Sequence, residues 1–114
     1  MTNETTKAPT LLVVDDDPRM LLMLEQFATD CGFSVTTARS GRQAMEALAF
    51  LRPDGAFIDV DLPDTDGFTL LRQVRSADSR AQVVLMTGST SVDAAVEAIK
   101  AGALDYVGKP FDLD

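Results

Sequence analysis

The stretch Ala56-Phe-Ile-Asp-Val-Asp-Leu-Pro-Asp-Thr-Asp-Gly67 joins a short apolar run to carboxylates and then to a loop punctuated by Pro and Gly. An apolar run of this length between turn residues suits a strand buried on both faces, and such strands belong to parallel sheets covered by helices. Asp59 stands at the end of that run, where open α/β sheets bind their ligands. An unpaired carboxylate is costly there, so Asp59 needs partners from other parts of the chain.

Working outward, the same unit recurs. Thr10 to Val14 is a short apolar run that stops at Asp15-Asp-Asp17, and Pro18 then opens an amphipathic stretch to Cys31. Pro at the first helical position loses no needed N–H, Asp17 can cap the helix, and Gly32 is a natural stop. Leu21, Leu24 and Ala28 supply the inward stripe of this first helix. Phe33 to Ala38 alternates and is rich in β-branched residues, which predicts a second, more exposed strand at an edge. Ser40-Gly-Arg-Gln43 has the spacing of a capping box, and Ala44, Leu48 and Leu51 give the inner face of a second helix ending before Pro53. Asp54 reads as a turn residue entering the third strand.

Beyond the opening stretch, Phe68 to Ser76 predicts a third helix with Leu70, Leu71 and Val74 inward. Ala81 to Met86 is a fourth strand ending at Thr87-Gly. Thr90 or Ser91 caps a fourth helix through Lys100, whose apolar stripe is Ala95, Val96 and Ile99, and Gly102 stops it. Leu104 to Val107 is a fifth strand, followed by Gly108-Lys109-Pro110-Phe111.

The alternation predicts an α/β fold with a doubly wound, five-stranded parallel sheet, for which the order 2-1-3-4-5 is taken as the expectation. Helices 2, 3 and 4 cover one face and helix 1 the other. A closing helix to complete that second face is lacking from the pattern, so residues 10–114 are expected to be one domain truncated before it, behind a disordered leader over 1–9. Apolar side chains left open beside helix 1 predict marginal stability, or a homodimer or swapped assembly that supplies cover.

Composition narrows the function classes. The net charge is −8, and fourteen of the 18 acidic residues are Asp. Direct nucleic-acid binding normally needs a basic stripe, so no nucleic-acid partner is expected for this domain. Helical surfaces usually take Glu, and the excess of Asp points to caps, turns and cation sites. With no His, the chain lacks the usual general base and the commonest zinc ligand. No apolar run approaches the roughly 20 residues of a membrane span. The N-terminus resembles no signal peptide and Cys31 is alone, so a cytoplasmic location away from membranes is expected.

Right-handed crossovers carry the C-terminal ends of parallel strands to one edge of the sheet. Asp15 and Asp16 after strand 1, Asp59 at strand 3, Thr87 at strand 4 and Lys109 after strand 5 are therefore expected to meet. Three converging carboxylates need a cation, and Mg2+ favours carboxylate and carbonyl oxygens. A divalent ion, one ammonium and one hydroxyl around a carboxylate form a socket for a tetrahedral anion, and Asp can act as a nucleophile toward phosphorus.

Four blocks carrying these residues jointly resemble the receiver domain of two-component response regulators. They are Leu-Val-Val-Asp15-Asp16-Asp-Pro, Asp59-Val-Asp-Leu-Pro-Asp-Thr-Asp-Gly67, Val-Leu-Met-Thr87-Gly, and Gly-Ala-Leu-Asp-Tyr106-Val-Gly-Lys109-Pro110-Phe, spanning about residues 11 to 111. The resemblance implies a flavodoxin-like fold and a phosphoprotein switch. Asp59 would take a phosphoryl group from a sensor histidine kinase or phosphotransfer protein. Asp15, Asp16, Asp59 and the backbone carbonyl of Asp61 would hold Mg2+. Thr87 would bind the phosphoryl group and move, Tyr106 would turn inward after it, and Lys109 would pair with the phosphate. The face formed by strand 4, helix 4 and strand 5 would change conformation, and the Lys109-Pro110 bond is similar to one that is cis in the family. No catalysis is implied beyond self-phosphorylation and slow self-dephosphorylation. Leu62 and the acidic Asp61 depart from the commonest family residues at their positions.

Plainer roles compete with these. Asp17 reads as a cap, Asp64 and Asp66 as turn-formers, and Tyr106 on its own as half-buried packing. An EF-hand frame over this loop would put Leu62 and Gln73 at ligand positions, with Pro63 opposing the entering helix. Asp59-Val-Asp61 resembles a haloacid dehalogenase motif, but Pro63 stands where Thr or Val is expected. The remaining alternative is a receiver-like protein-interaction module that works without phosphorylation.

Overall fold

The structure, a computed structural model, describes residues 8–88 and 91–109. Along the chain run β1 (Thr10–Val14), α1 (Pro18–Asp30), β2 (Ser34–Ala38), α2 (Gly41–Leu48), β3 (Gly55–Asp59), α3 (Gly67–Ala77), β4 (Gln82–Thr87), α4 (Val92–Lys100) and β5 (Asp105–Gly108). All four strand pairings are parallel, as the alternation predicts, and the order is the expected β2-β1-β3-β4-β5. The expected Lys109-Pro110 geometry and a cap by Thr90 fall outside the described residues, as do residues 1–7.

Strand residues alternate between two cores because successive side chains point to opposite faces. Leu12, Val14, Ala56, Ile58, Val83 and Leu85 face α2, α3 and α4, which contribute Ala44, Leu70, Leu71, Val74 and Ala98. Leu11, Val13 and Met86 face α1 through Leu21, Leu24 and Ala28. On this second face Phe57 and Val107 are only partly buried, and a groove of about 260 Å³ runs over Leu11, Phe33, Phe57, Val84 and Leu104.

The helix ends follow the residues that specify them. Asp17 caps α1 by accepting from Arg19 N–H, Pro18 is the first helical residue, and Gly32 takes φ 97° just beyond the C-terminus. Ser40 caps α2 by accepting from Gln43 N–H, and the Gln43 side chain reaches back to Arg39 N–H. α2 ends at Leu48, earlier than the apolar spacing predicts. Phe50 N–H bonds to Ala47 in a tightened exit turn, which leaves Leu51 half-buried beyond the helix.

α4 corrects the sequence expectation. Its inward residue is Ala98, with Ala94 and Ala95 half-buried, whereas Val96 and Ile99 are 45% and 51% exposed. The helix carries two apolar stripes, one of alanines and one of larger residues. Both have helical spacing, so periodicity does not choose between them, and the small stripe is the one that lies against the sheet.

Candidate functional site

The strand register sets the site. Val14 lies beside Ile58, Asp59 beside Met86 and Thr87 beside Gly108. The residues that end or follow these strands, Asp15, Asp59, Thr87 and Lys109, are therefore level at one edge of the sheet. Asp15 is fully buried, and Asp59 and Thr87 are each 3% exposed.

Lys109 bridges the acids. Its Nζ donates to Asp15 Oδ2 at 3.0 Å and lies 3.4 Å from Asp59 Oδ2. The other oxygens are held by backbone: Asp15 Oδ1 accepts from Asp17 N–H at 3.0 Å, and Asp59 Oδ1 accepts from Asp61 N–H at 3.2 Å. Burial, reinforced by the nearby Asp15 charge, pushes the Asp59 carboxyl above its usual value, against the opposing pull of Asp61 N–H and Lys109. Burial disfavours the charge on Lys109 as well, but its hydrogen bond to Asp15 and the two carboxylate charges outweigh that and raise the ammonium above 10.5.

Asp16 is exposed at the rim, and one carboxylate oxygen from each of Asp15, Asp16 and Asp59 lies within 4.8 Å of the others. Three hard oxygen donors against a single ammonium leave an uncompensated negative charge. That donor set fits a divalent cation such as Mg2+ and suits no soft metal, since no thiolate or imidazole is near. The Asp61 side chain is exposed, and its N–H fixes Asp59.

Glycine makes the loop after β3 possible. A Cβ on Gly67 would meet the Asp59 carbonyl oxygen at 2.8 Å, because Gly67 N–H returns to bond Val60 O. Asp66 caps α3 by accepting from Thr69 N–H at 2.8 Å. Asp64 is more than a turn-former: its carboxylate accepts from the N–H groups of Gly41 and Arg42 at the start of α2. Local sequence holds no signal for this contact, which joins residues more than twenty apart. Asp54 likewise accepts from Thr10 N–H.

Tyr106 is half-buried, with its ring centroid 6.4 Å from that of Phe68. It packs against the α2–α3–α4 core, beside the strand that carries Thr87.

The sequence model of the response regulator receiver domain matches residues 11–114. The chain belongs to that family. Regulatory protein AtoC of Escherichia coli (strain K12) is 41% identical over 104 residues, 91% of this receiver and 23% of AtoC. A CheY-like receiver domain protein from Methanospirillum hungatei JF-1 superposes with a TM-score of 0.86 at 26% identity, covering 93% of this receiver and 85% of that chain. A response regulator from Burkholderia pseudomallei, crystallised with a phosphorylated aspartic acid, calcium ion and citrate, gives 0.85 at 25% identity, covering 92% and 62%. The receiver spans less than a quarter of the length of AtoC and of the NtrC regulators it matches. Among its described residues, no helix is long and apolar enough to cross a membrane.

Proposed function

We propose that this receiver is a phosphoacceptor switch in which Asp59 takes a phosphoryl group from a partner histidine kinase or phosphotransfer protein. The observation that carries the reading is the buried Asp59 carboxylate, held by Asp61 N–H on one oxygen and faced by Lys109 on the other. A carboxylate so oriented is a nucleophile toward phosphorus: an Asp59 oxygen forms the new P–O bond as the P–N bond of a phosphohistidine breaks, and the imidazole leaves with the electron pair. Asp15, Asp16, Asp59 and the Asp61 carbonyl would hold Mg2+, which supplies charge neutralisation for the phosphoryl oxygens when bound. Lys109 turns from pairing two carboxylates to pairing the new phosphate. Water then slowly takes the phosphoryl group from the acyl phosphate, releasing inorganic phosphate and restoring the Asp59 carboxylate, so that the receiver reverses its own phosphorylation. That a related response regulator carries a phosphorylated aspartic acid and a calcium ion supports this assignment.

The response follows from where Thr87 sits. Thr87 is buried at the end of β4, beside Gly108 of β5, the strand that carries Tyr106. Engagement of the Thr87 hydroxyl by the phosphoryl group, with Tyr106 following inward, shifts the face made by β4, α4 and β5. α4 is suited to move, because Ala98 alone is fully buried among its described residues.

The test is incubation with Mg2+ and acetyl phosphate followed by intact-mass measurement. The expected result is a gain of one phosphoryl group that is lost in Asp59→Asn and in the presence of a chelator. Labelling that persists in Asp59→Asn overturns the assignment.

A further inference from the structure

The loop between β3 and α3 is held from outside itself. Gly41 and Arg42 donate their N–H groups to Asp64 Oδ1 and Oδ2 at 2.8 and 2.9 Å. These are the first two residues of α2, whose third N–H, from Gln43, is taken by the cap Ser40. The same approach brings Thr65 onto Gly41: a Cβ there would run into Thr65 Cγ2, so glycine lets the two segments approach without displacing that side chain. Inside the loop, Asp61 bridges to Asp66 in antiparallel fashion and Gly67 N–H closes onto Val60 O. Asp61 in turn donates its N–H to Asp59 Oδ1. A continuous set of hydrogen bonds and close contacts thus runs from the N-terminus of α2 through Asp64 and the loop to the buried carboxylate.

We infer that Asp64 is a positioning residue for the site: by clamping the loop to the start of α2, it sets the Asp61 backbone against Asp59. The inference deepens the phosphoacceptor reading and rests on it for its consequence in ion binding. The clamp itself is independent of that reading. The carboxylate is suited to the task because both oxygens accept and the helix N-terminus favours negative charge. The two N–H groups, from Gly41 first and Arg42 second, hold the Asp64 carboxyl below its usual value. A group that orients a ligating element is commonly worth about tenfold or more in metal affinity.

The experiment compares Asp64→Ala with Ser40→Ala, which removes the other cap of the same helix without touching the loop. Asp64→Asn, which keeps one acceptor, serves where Asp64→Ala does not fold. Amide NMR of the ion-free proteins reads the clamp directly. The Asp61 amide resonance is expected to move in the Asp64 variants and to hold in Ser40→Ala. Titration with Mg2+ alone then reads the consequence, expected as about a tenfold higher half-saturating concentration for Asp64→Ala and none for Ser40→Ala. An unmoved Asp61 amide in the Asp64 variants overturns the clamp, and so does an equal movement in Ser40→Ala, which would reduce Asp64 to ordinary helix capping. A wild-type protein that ignores Mg2+ overturns the ion-dependent function while the amide comparison still decides the clamp.

Discussion

Helices α3 and α4 follow neighbouring strands, have 11 and 9 residues, and cover the same face of the sheet, yet they are anchored very differently. α3 buries Leu70, Leu71 and Val74 and is capped by Asp66, the last carboxylate of the loop that begins at Asp59. α4 buries Ala98 and turns Val92, Val96 and Ile99 outward at 80%, 45% and 51% exposure. A buried Leu or Val contributes about 1.5–3 kcal/mol, so three of them outweigh a single methyl by several-fold. The firm helix stands next to the residue that would be phosphorylated, and the loosely held one stands where the response would be read out. A switch needs both, since a site must stay fixed while a nearby element has two packings close in free energy.

The strongest way to break this comparison is to cut the anchor of α3. Leu71→Ala removes a side chain with no exposed surface from the middle of the core and is expected to cost about 2–5 kcal/mol, read as a lower urea midpoint. A loss below about 1 kcal/mol would mean that α3 is no better held than a surface helix.

The next effect lies in the site. Lys109→Ala leaves Asp15 buried with its charge uncompensated, and in Mg2+-free buffer it is expected to cost about 2 kcal/mol. That is less than the roughly 3–5 kcal/mol of a fully buried pair, because the Lys109 side chain keeps 19% of its surface in water. The pH dependence has a definite sign. A lysine raised in the folded state contributes stability that is complete below its ordinary value of 10.5 and is lost as pH rises through the folded value above it. The gap between wild type and Lys109→Ala should therefore be flat near neutrality and close only at the alkaline end. Closure near neutral pH would overturn the assignment of this stability to the Lys109 ammonium.

The parts legible in the sequence are those whose signals are local. Apolar runs ending in Asp15, Asp59 and Thr87 identify strands, the resemblance to receiver domains supplies their order, and Asp17, Ser40 and Ser91 announce their helices. The meeting of Asp15, Asp16, Asp59, Thr87 and Lys109 follows from the topology with no further information. Two of the features that escape do so for different reasons. The contact from Asp64 to Gly41 and Arg42 depends on how a loop folds across to another helix, and turn propensity describes Asp64 only within its own loop. The inward face of α4 escapes because Ala98 competes with Val96 and Ile99 at equal periodicity, and in the folded chain the smaller residue is the buried one.

That second miss supplies the smallest effect and the sharpest control on the comparison. Ile99→Ala removes a larger side chain than any on the buried stripe of α4, and hydropathy by itself ranks it among the costly substitutions. With half of its surface already in water, Ile99 is expected to lose only about 0.5 kcal/mol on truncation. Ala98→Leu, in contrast, forces three heavy atoms into a fully buried place and is expected to cost about 1–3 kcal/mol, although it adds hydrophobicity. Urea unfolding of the two variants side by side checks the order. If Ile99→Ala proved the more damaging, the large stripe would be the one packed in the native state, and α4 would be as firmly anchored as α3.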